Sequence, residues 1–543
     1  MGRTELPTKH TIVRKCTVVA LLVLLFVFLT YALQHASERY VKNADGASIV
    51  LEGVALLSGN WNLHGWTTPS DSFWLIDIPF YALVALFRGV TPNLMRDVPV
   101  LLYSLSVAAA LWLSTLGSSG RTSLLAAAAA FLLVGLPSSQ TATPLLGFIV
   151  LGPMHIGTIL YGITSLGFLH MALGTSPQDG VARGRRGLLL LVSGLIMASA
   201  IASDPFTTWI FVLPIVVSAA VPIWLHRNRA QHMLILGWTT AAFAAGRLAL
   251  ALCRHLGGFQ TVPETAQFTA LSDLPTNVLL ALQGLMGLFG ADFFALPVFS
   301  VHTALILAHL IGLTFTLWAV AVAIAAWWHG RESDWLSTVL AIGFVMTIVE
   351  YSVSTNATNL ATTRYLLPAV FFGGIVASRG FSKVSKEIKD GMRVVVPVCG
   401  VFALASIASF GLVFTRPPAT YPIADVGTWL ISHDLRRGFG SYWDASIVTL
   451  ETRGRVAVRP IVGAGDRFVR FPLHNNAEWY AIDKGVGIAD FLIWGGPDAY
   501  FPDHGVDLDT AIRALGQPTD MYTVGGYHIA LWDHDLAGSI RTE

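Results

Sequence analysis

The sequence predicts an all-α polytopic membrane protein that ends in a small α/β domain. Three observations predict it. Charged residues make up 12% of the chain and hydrophobic ones 54%, whereas a soluble globular chain carries roughly 25% charged residues, so most of this surface faces lipid. A window of about 19 residues moved along the chain finds about eleven apolar spans. At Arg416 the composition turns abruptly polar, and the remaining stretch of about 125 residues is an ordinary size for a separate domain. A net charge of +1 gives no argument for a nucleic-acid partner. Cys16, Cys253 and Cys399 lie in or beside apolar spans and form no disulfide framework.

Residues 1–16 are short and basic (Arg3, Lys9, Arg14, Lys15) and lead into an apolar run from Cys16 to Leu33. The run is near full spanning length and no small-residue cleavage site follows it, so it reads as a retained first helix with its N-terminus in the cytoplasm. Spans are expected near 17–35, 98–117, 122–136, 155–173, 187–202, 206–225, 233–252, 301–328, 336–351, 365–379 and 394–415, making 17–415 the membrane domain. One set of loops is basic: Arg121; Arg183, Arg185 and Arg186; Arg227 and Arg229; Arg331; Arg379, Lys383, Lys386, Lys389 and Arg393. By the positive-inside rule these face the cytoplasm. The acidic first loop, 36–97, then faces outward, and an odd number of spans puts residues 416–543 outside as well. The expected location is the plasma (inner) membrane, multi-pass. In the last domain, strands are expected at Ala445–Leu450, Val456–Pro460, Phe468–Phe471, Ala489–Trp494 and Tyr527–Trp532, with helices near Asp425–His433 and Asp509–Leu515.

The stretch Asn43–Tyr81 holds Asp45, Glu52, Asp71 and Asp77 among aromatic residues. Its first part reads as a helix, with Asp45, Ser48 and Glu52 on one face and Ile49, Val50, Val54 and Leu57 between them. Such a helix can lie on a membrane surface with its acids turned inward. Acids beside a bilayer are costly and call for a reason; an active-site floor is one. The remaining outward chemistry is Pro153-Met154-His155, Asp204 in SDPFTTW, Glu264, Asp273, Asp292, Glu350-Tyr351 and Thr363-Arg364-Tyr365-Leu366.

An outward-facing membrane site has no nucleotide available, so an activated donor there must be carried by lipid. Group transfer from a polyprenyl phosphate needs a carboxylate base near the acceptor hydroxyl and a cation for the departing phosphate. Asp45 suits the first task, and it is equally suited to cap the helix that starts at Gly46. Glu52 reads as solvated or structural, Asp77 as a capping or ion-pair residue as readily as a catalytic one, and Asp71 as a turn residue. Arg364, at the outer end of a span, suits the phosphate, and snorkelling is its bland alternative. Asp204 before Pro205 caps a helix whatever else it does. His155 can meet substrate or pack in the interior.

With that layout, the chain resembles the GT-C superfamily of integral-membrane glycosyltransferases, in its protein O-mannosyltransferase and aminoarabinose transferase-like bacterial branches. The resemblance rests on Asn43-Ala44-Asp45-Gly46 after the first span and on Asp77-Ile78-Pro79-Phe80-Tyr81, where many relatives carry a His- or Lys-Pro-Pro-Leu motif. It rests further on Arg364-Tyr365-Leu366-Leu367-Pro368 opening a late span, and on Gly438-Phe439-Gly440-Ser441-Tyr442-Trp443-Asp444-Ala445 with Arg459-Pro460. The resemblance implies Asp45 as base, Arg364 and Tyr365 at the donor phosphate, and a polyprenyl-phosphate sugar attacked with inversion. Asp77, Asp204, His155 and Glu52 would shape the acceptor side. A glycan, lipid or protein would be the acceptor, received in part by Tyr442, Trp443, Trp479, Tyr480 and Trp494. Some members use a divalent cation, for which the sequence assigns no ligands. Two rivals stand beside this reading: a flippase or transporter of lipid-linked saccharides, and a non-catalytic envelope protein that keeps the fold. The departures from the motifs, Asp77-Ile78-Pro79 for the paired prolines and no Asp-Glu pair after the first span, bear on substrate class.

Overall fold

A bilayer offers the backbone no water, so a crossing chain must close its hydrogen bonds inside helices. The computed structural model of the chain shows how this one does so. It describes residues 9–141, 145–150, 155–175, 180–263, 266–331, 334–387, 392–480, 488–497 and 505–541. Arg3, Pro153, Met154, Glu264 and Lys389 lie outside these, as do the side chains of Lys9, Arg14, Lys15, Cys16, Lys386 and Arg393.

The chain enters through α1 (Lys9–Ser37) and then α2 (Ala44–Leu57), strand β1 (Trp66–Thr68) and α3 (Ile78–Arg88), the three elements of the first loop. The bundle continues with α4 (Leu94–Thr115), α5 (Arg121–Ala130), the short α6 (Leu145–Val150), α7 (Ile156–Leu173), α8 (Gly180–Ser203), α9 (Leu213–Trp224) and α10 (Arg229–His255). Strand β2 (Gln260–Thr261) and helices α11 (Leu274–Leu288), α12 (Val301–Trp328), α13 (Trp335–Val353), α14 (Leu367–Glu387) and α15 (Met392–Gly411) complete it. Eight helices among the described residues are long and apolar enough to cross a membrane, and they match eight of the expected spans. The expected spans near 122–136 and 206–225 fall on the shorter apolar helices Arg121–Gly135 and Thr208–Trp224, and α1 covers the first. The total of eleven therefore stays an expectation. Val27 and Phe28 on α1, Leu188 and Leu195 on α8, and Leu404 on α15 are exposed, as lipid-facing side chains are. This is a multi-pass membrane protein.

Hydrophobicity alone does not draw helices together in lipid, so close packing must do it. Glycines permit the approach: a Cβ at Gly162 of α7 would strike the Phe211 ring, and one at Gly373 of α14 would strike Thr316 of α12. At the end of the bundle remote from the first loop, a buried ion pair adds direction. Arg379 of α14 meets Asp334 at 2.5 Å and donates to the carbonyls of Leu113 and Leu116 at the end of α4, at 2.6 and 2.8 Å. Arg379, expected only to orient the chain, is a three-helix clamp.

The C-terminal domain adds α16 (Ile423–Ser432), β3 (Arg437–Gly440), α17 (Tyr442–Glu451), β4 (Ala457–Ala464), β5 (Arg467–Arg470), β6 (Asn475–Asn476) and β7 (Phe491–Gly495). It ends with α18 (Leu508–Leu515), β8 (Asp520–Val524), β9 (Tyr527–Leu531) and β10 (Ile540–Arg541). Seven strands form a mixed sheet in the order β10-β5-β4-β3-β7-β9-β8, with β3 parallel to both β4 and β7. The stretch expected as strand Ala445–Leu450 is instead α17. That helix is buried on nearly every side between sheet and α2, so its residues show no polar face from which a helical period can be read. Tyr480 and Trp494 are core residues of the sheet, which removes them from the aromatic surface expected to receive an acceptor.

Three distant segments meet in a second sheet, β2-β1-β6, with Thr67 beside Gln260 and Trp66 beside Asn476. It fastens the first loop, the segment after α10 and the C-terminal domain into one body, above the end of the bundle where α2 lies.

Candidate active site

The α2 helix is capped by Asn43, whose side chain accepts from the Gly46 N–H at 2.9 Å. Asp45, thus relieved of capping, projects from the first turn and accepts a hydrogen bond from the Tyr442 hydroxyl. One turn on, Ser48 donates to Ser446 at 3.1 Å. Beyond it Glu52, fully buried, pairs with His474 at 2.9 Å, and its second oxygen has no partner among the described residues. The three residues expected on one face share it, and what they face is the C-terminal domain. The Tyr442 ring is stacked between Phe471 and His474, at 4.3 and 6.4 Å. Burial opposes charge on His474, but Glu52, then Asp45 and Asp71, more than offset this and raise its pKa above the ordinary value.

A second cluster forms where α8 ends and α7 begins. The first loop is fastened there by the Ser203 carbonyl, which accepts from the Phe73 N–H at 3.0 Å and from the Ser72 hydroxyl at 3.2 Å. Next to Ser203, Asp204 accepts from the Phe206 N–H at 2.9 Å, the expected cap, and also from the Thr158 hydroxyl. Its Oδ2 lies 2.7 Å from His155 Nδ1. The other ring nitrogen of His155 is 3.9 Å from Asp71. Burial lowers the His155 pKa, but the charge and hydrogen bond of Asp204, and then Asp71, outweigh it and push the value up to about 9. For Asp71 burial dominates, opposed by His155, and the carboxyl is pushed up to about 6.

Asp77 lies just behind. It occupies the N-terminal position of α3 but makes no capping bond, and its carboxyl lies against Gly157, where a Cβ would collide with it. Both oxygens are fully buried without a well-aligned partner among the described residues. Burial, and then the charge of Asp204, push its pKa up to about 7, against the pull of His155 and the Gly157 N–H. Asp71 and Asp77 therefore change charge near neutrality within one region, the condition under which a site can give and take protons.

These groups open on a cavity of about 750 Å³ lined by Asp71, His155, Asp204, Phe206, Trp209 and Tyr365 among others. Tyr365 packs against the His155 and Phe206 rings at 5.6 and 6.2 Å. Arg364 lies over the Tyr365 ring at 5.2 Å and forms no ion pair among the described residues, although its charge is felt at His155. It is half-buried, held in place and electrically uncommitted.

The structure thus brings His155, Asp204, Asp77, Arg364 and Tyr365 together, and joins Asp45 and Glu52 through His474, which senses Asp45 and Asp71 together. Sequence reasoning passed over Asp71 as a turn residue and did not consider His474. The signal for Asp71 was its place among Ser70, Ser72 and a run of aromatics. For His474 there was none, because its partner is 422 residues away. Among the described residues no three His, Cys, Asp or Glu side chains are arranged to hold a metal.

A helical bundle of this connectivity, with an acid-bearing first loop and a terminal α/β domain over it, is a fold shared with solved structures. Structures of ArnT from Cupriavidus metallidurans are among those that share it. The apo form superimposes with a TM-score of 0.54 at 12% identity, covering 97% of this chain and 100% of that one. The form bound to undecaprenyl phosphate gives 0.52 at 13% identity, covering 94% and 97%. No protein-family model and no curated protein sequence matches the chain.

Proposed function

We propose that the chain is a glycosyltransferase that moves a sugar from a polyprenyl-phosphate donor to an acceptor hydroxyl with inversion, on the extracytoplasmic side of the plasma membrane. Asp45 takes the proton from the acceptor hydroxyl as its oxygen attacks the anomeric carbon. The bond to the phosphate oxygen breaks, and Arg364, beside Tyr365, meets the departing phosphate's charge. Asp71, Asp77, His155, Asp204 and Glu52 line or back the acceptor side. The observation that carries this reading is the uncommitted Arg364 beside a cavity walled by carboxylates and histidine. The fold supports it too, because one ArnT structure is bound to undecaprenyl phosphate. The basic loops at the far end of the bundle support the orientation.

Asp71 is the second candidate for the base, because it lines the cavity directly whereas Asp45 is tied to Tyr442. Purified protein in nanodiscs, given a panel of radiolabelled polyprenyl-phosphate sugars and a membrane extract as acceptor, separates the two. Losing a general base costs about 10²- to 10⁴-fold in rate, so Asp45→Asn should abolish turnover while donor binding survives. Arg364→Ala should weaken donor binding about 10- to 100-fold, the loss of one charge-assisted contact. Full turnover in Asp45→Asn with loss in Asp71→Asn would transfer the role to Asp71. Saccharide-lipid movement across vesicles without transfer would support a flippase.

A further inference from the structure

The C-terminal domain is more than a cap on the bundle. Its central parallel strands are β4, β3 and β7, with α17 connecting β3 to β4 while β7 lies on the other side of β3. Strand order therefore reverses between β3 and β7, and in open α/β sheets the crevice at the carboxyl ends of the strands, at that reversal, is where function gathers. Here Gly440 closes β3, Ser441 and Tyr442 follow it, and Gly495 closes β7. The first residue of α17 is Tyr442, and its hydroxyl leaves the crevice to meet Asp45 of the membrane domain.

Three further contacts hold that meeting in place. Phe471 stacks on the Tyr442 ring. His474 stacks behind it and pairs with buried Glu52, one face-turn from Ser48. His474 itself holds a left-handed backbone, φ 49°, a conformation that costs a non-glycine residue of this kind energy and persists only where the surroundings impose it. Lys42 and Glu451 close the far edge of the same α2–α17 contact at 2.6 Å. A domain merely resting on the bundle needs none of this at one carboxylate.

We propose that the C-terminal domain completes the active site, with Tyr442 and His474 as positioning residues for Asp45. The inference rests on Asp45 being the base. Tyr442 fixes the direction of the Asp45 carboxylate by donating to it; His474 lies alongside the Tyr442 ring and pairs with Glu52 beside it. Among the described residues, Tyr442 donates to Asp45, Glu52 and Asp45 both act on Tyr442, and Glu52, Asp45 and Asp71 all act on His474. Neither positioning residue touches substrate.

The test uses the full chain in nanodiscs, with turnover of radiolabelled polyprenyl-phosphate sugars in membrane extract followed over a range of donor concentrations. Tyr442→Phe keeps the stack on Phe471 and removes only the hydroxyl. A misdirected base slows the chemical step and leaves donor binding alone, so kcat should fall about 10-fold, the loss of one hydrogen bond to a charged group, with the donor KM unchanged. His474→Gln should lower kcat in the same way by less. A merely structural role would lower the amount of folded, donor-binding protein and leave kcat per donor-binding site in place. Asp45→Asn inactive, with Tyr442→Phe unchanged in kcat, overturns the positioning role alone. Asp45→Asn fully active, or a wild type that turns over no donor, overturns the base reading and this inference with it. A double-mutant cycle of Asp45→Asn with Tyr442→Phe on stability needs no turnover, and zero coupling there would deny the contact itself.

Discussion

Replacing Asp77 by asparagine should make the protein more stable at neutral and alkaline pH. The carboxyl is fully buried, has no well-aligned hydrogen bond among the described residues and is pushed from 3.8 up to about 7. The sign follows from proton linkage. At pH below the unfolded value, about 4, the acid is neutral in both states and Asp77→Asn changes little more than one neutral group for another. As pH rises toward 7 the unfolded chain ionises freely and the folded chain does not, so folding loses ground. About three pH units at about 1.4 kcal/mol each puts that loss at about 4 kcal/mol by pH 8. Asn does not titrate, so the gain of Asp77→Asn over wild type should grow by about that amount between pH 4 and pH 8. The pH-dependent difference cancels whatever the amide gains or loses by packing. Unfolding curves in detergent at both pH values measure it, and transfer assays alongside should show reduced activity. A variant no more stable than wild type at pH 8, or a gain equal at both pH values, would refute the reasoning.

Two other outcomes follow from buried charge. His155→Gln should cost about 3 kcal/mol at or below pH 6.5, and the deficit should fade as pH rises through about 9, because a histidine with a raised pKa stabilises the folded state only while protonated; melting curves across that range check it. Arg379→Met leaves Asp334 buried without its partner and should destabilise the bundle by about 3–5 kcal/mol, whereas Met in place of Arg together with Asp334→Leu should recover much of it.

Much of the fold is legible in the sequence because the bilayer enforces long apolar runs, and no other use of so many exists. The acids of α2 are legible for a related reason: Asp45, Ser48 and Glu52 at helical spacing among apolar neighbours have one face to share. What they face is not legible, since Tyr442, Ser446 and His474 lie on the other side of the whole bundle in sequence. The strand expected at Ala445–Leu450 fails through the same gap in local information. Ile447, Val448 and Leu450 are apolar because sheet and α2 cover the helix from both sides, and a short run buried all round carries no period. Arg364 and Asp204 are readable at span ends, while Asp71 becomes part of the site only because Ser203 fastens its loop.

The small sheet β2-β1-β6 joins residues near 66, 260 and 476, and this sets an order on how the protein is made. The first loop leaves the ribosome early, yet its strand finds one partner only after α10 is threaded and the other only when the last domain has emerged. Until then Glu52 has no histidine and Asp45 no phenol, so a translation product that stops before Tyr442 exposes unmatched carboxylates at the membrane surface. A membrane-bound protease that recognises such loose segments can sort finished copies from unfinished ones. Chains ending before residue 476 should therefore be short-lived in the cell even when all their membrane helices are inserted.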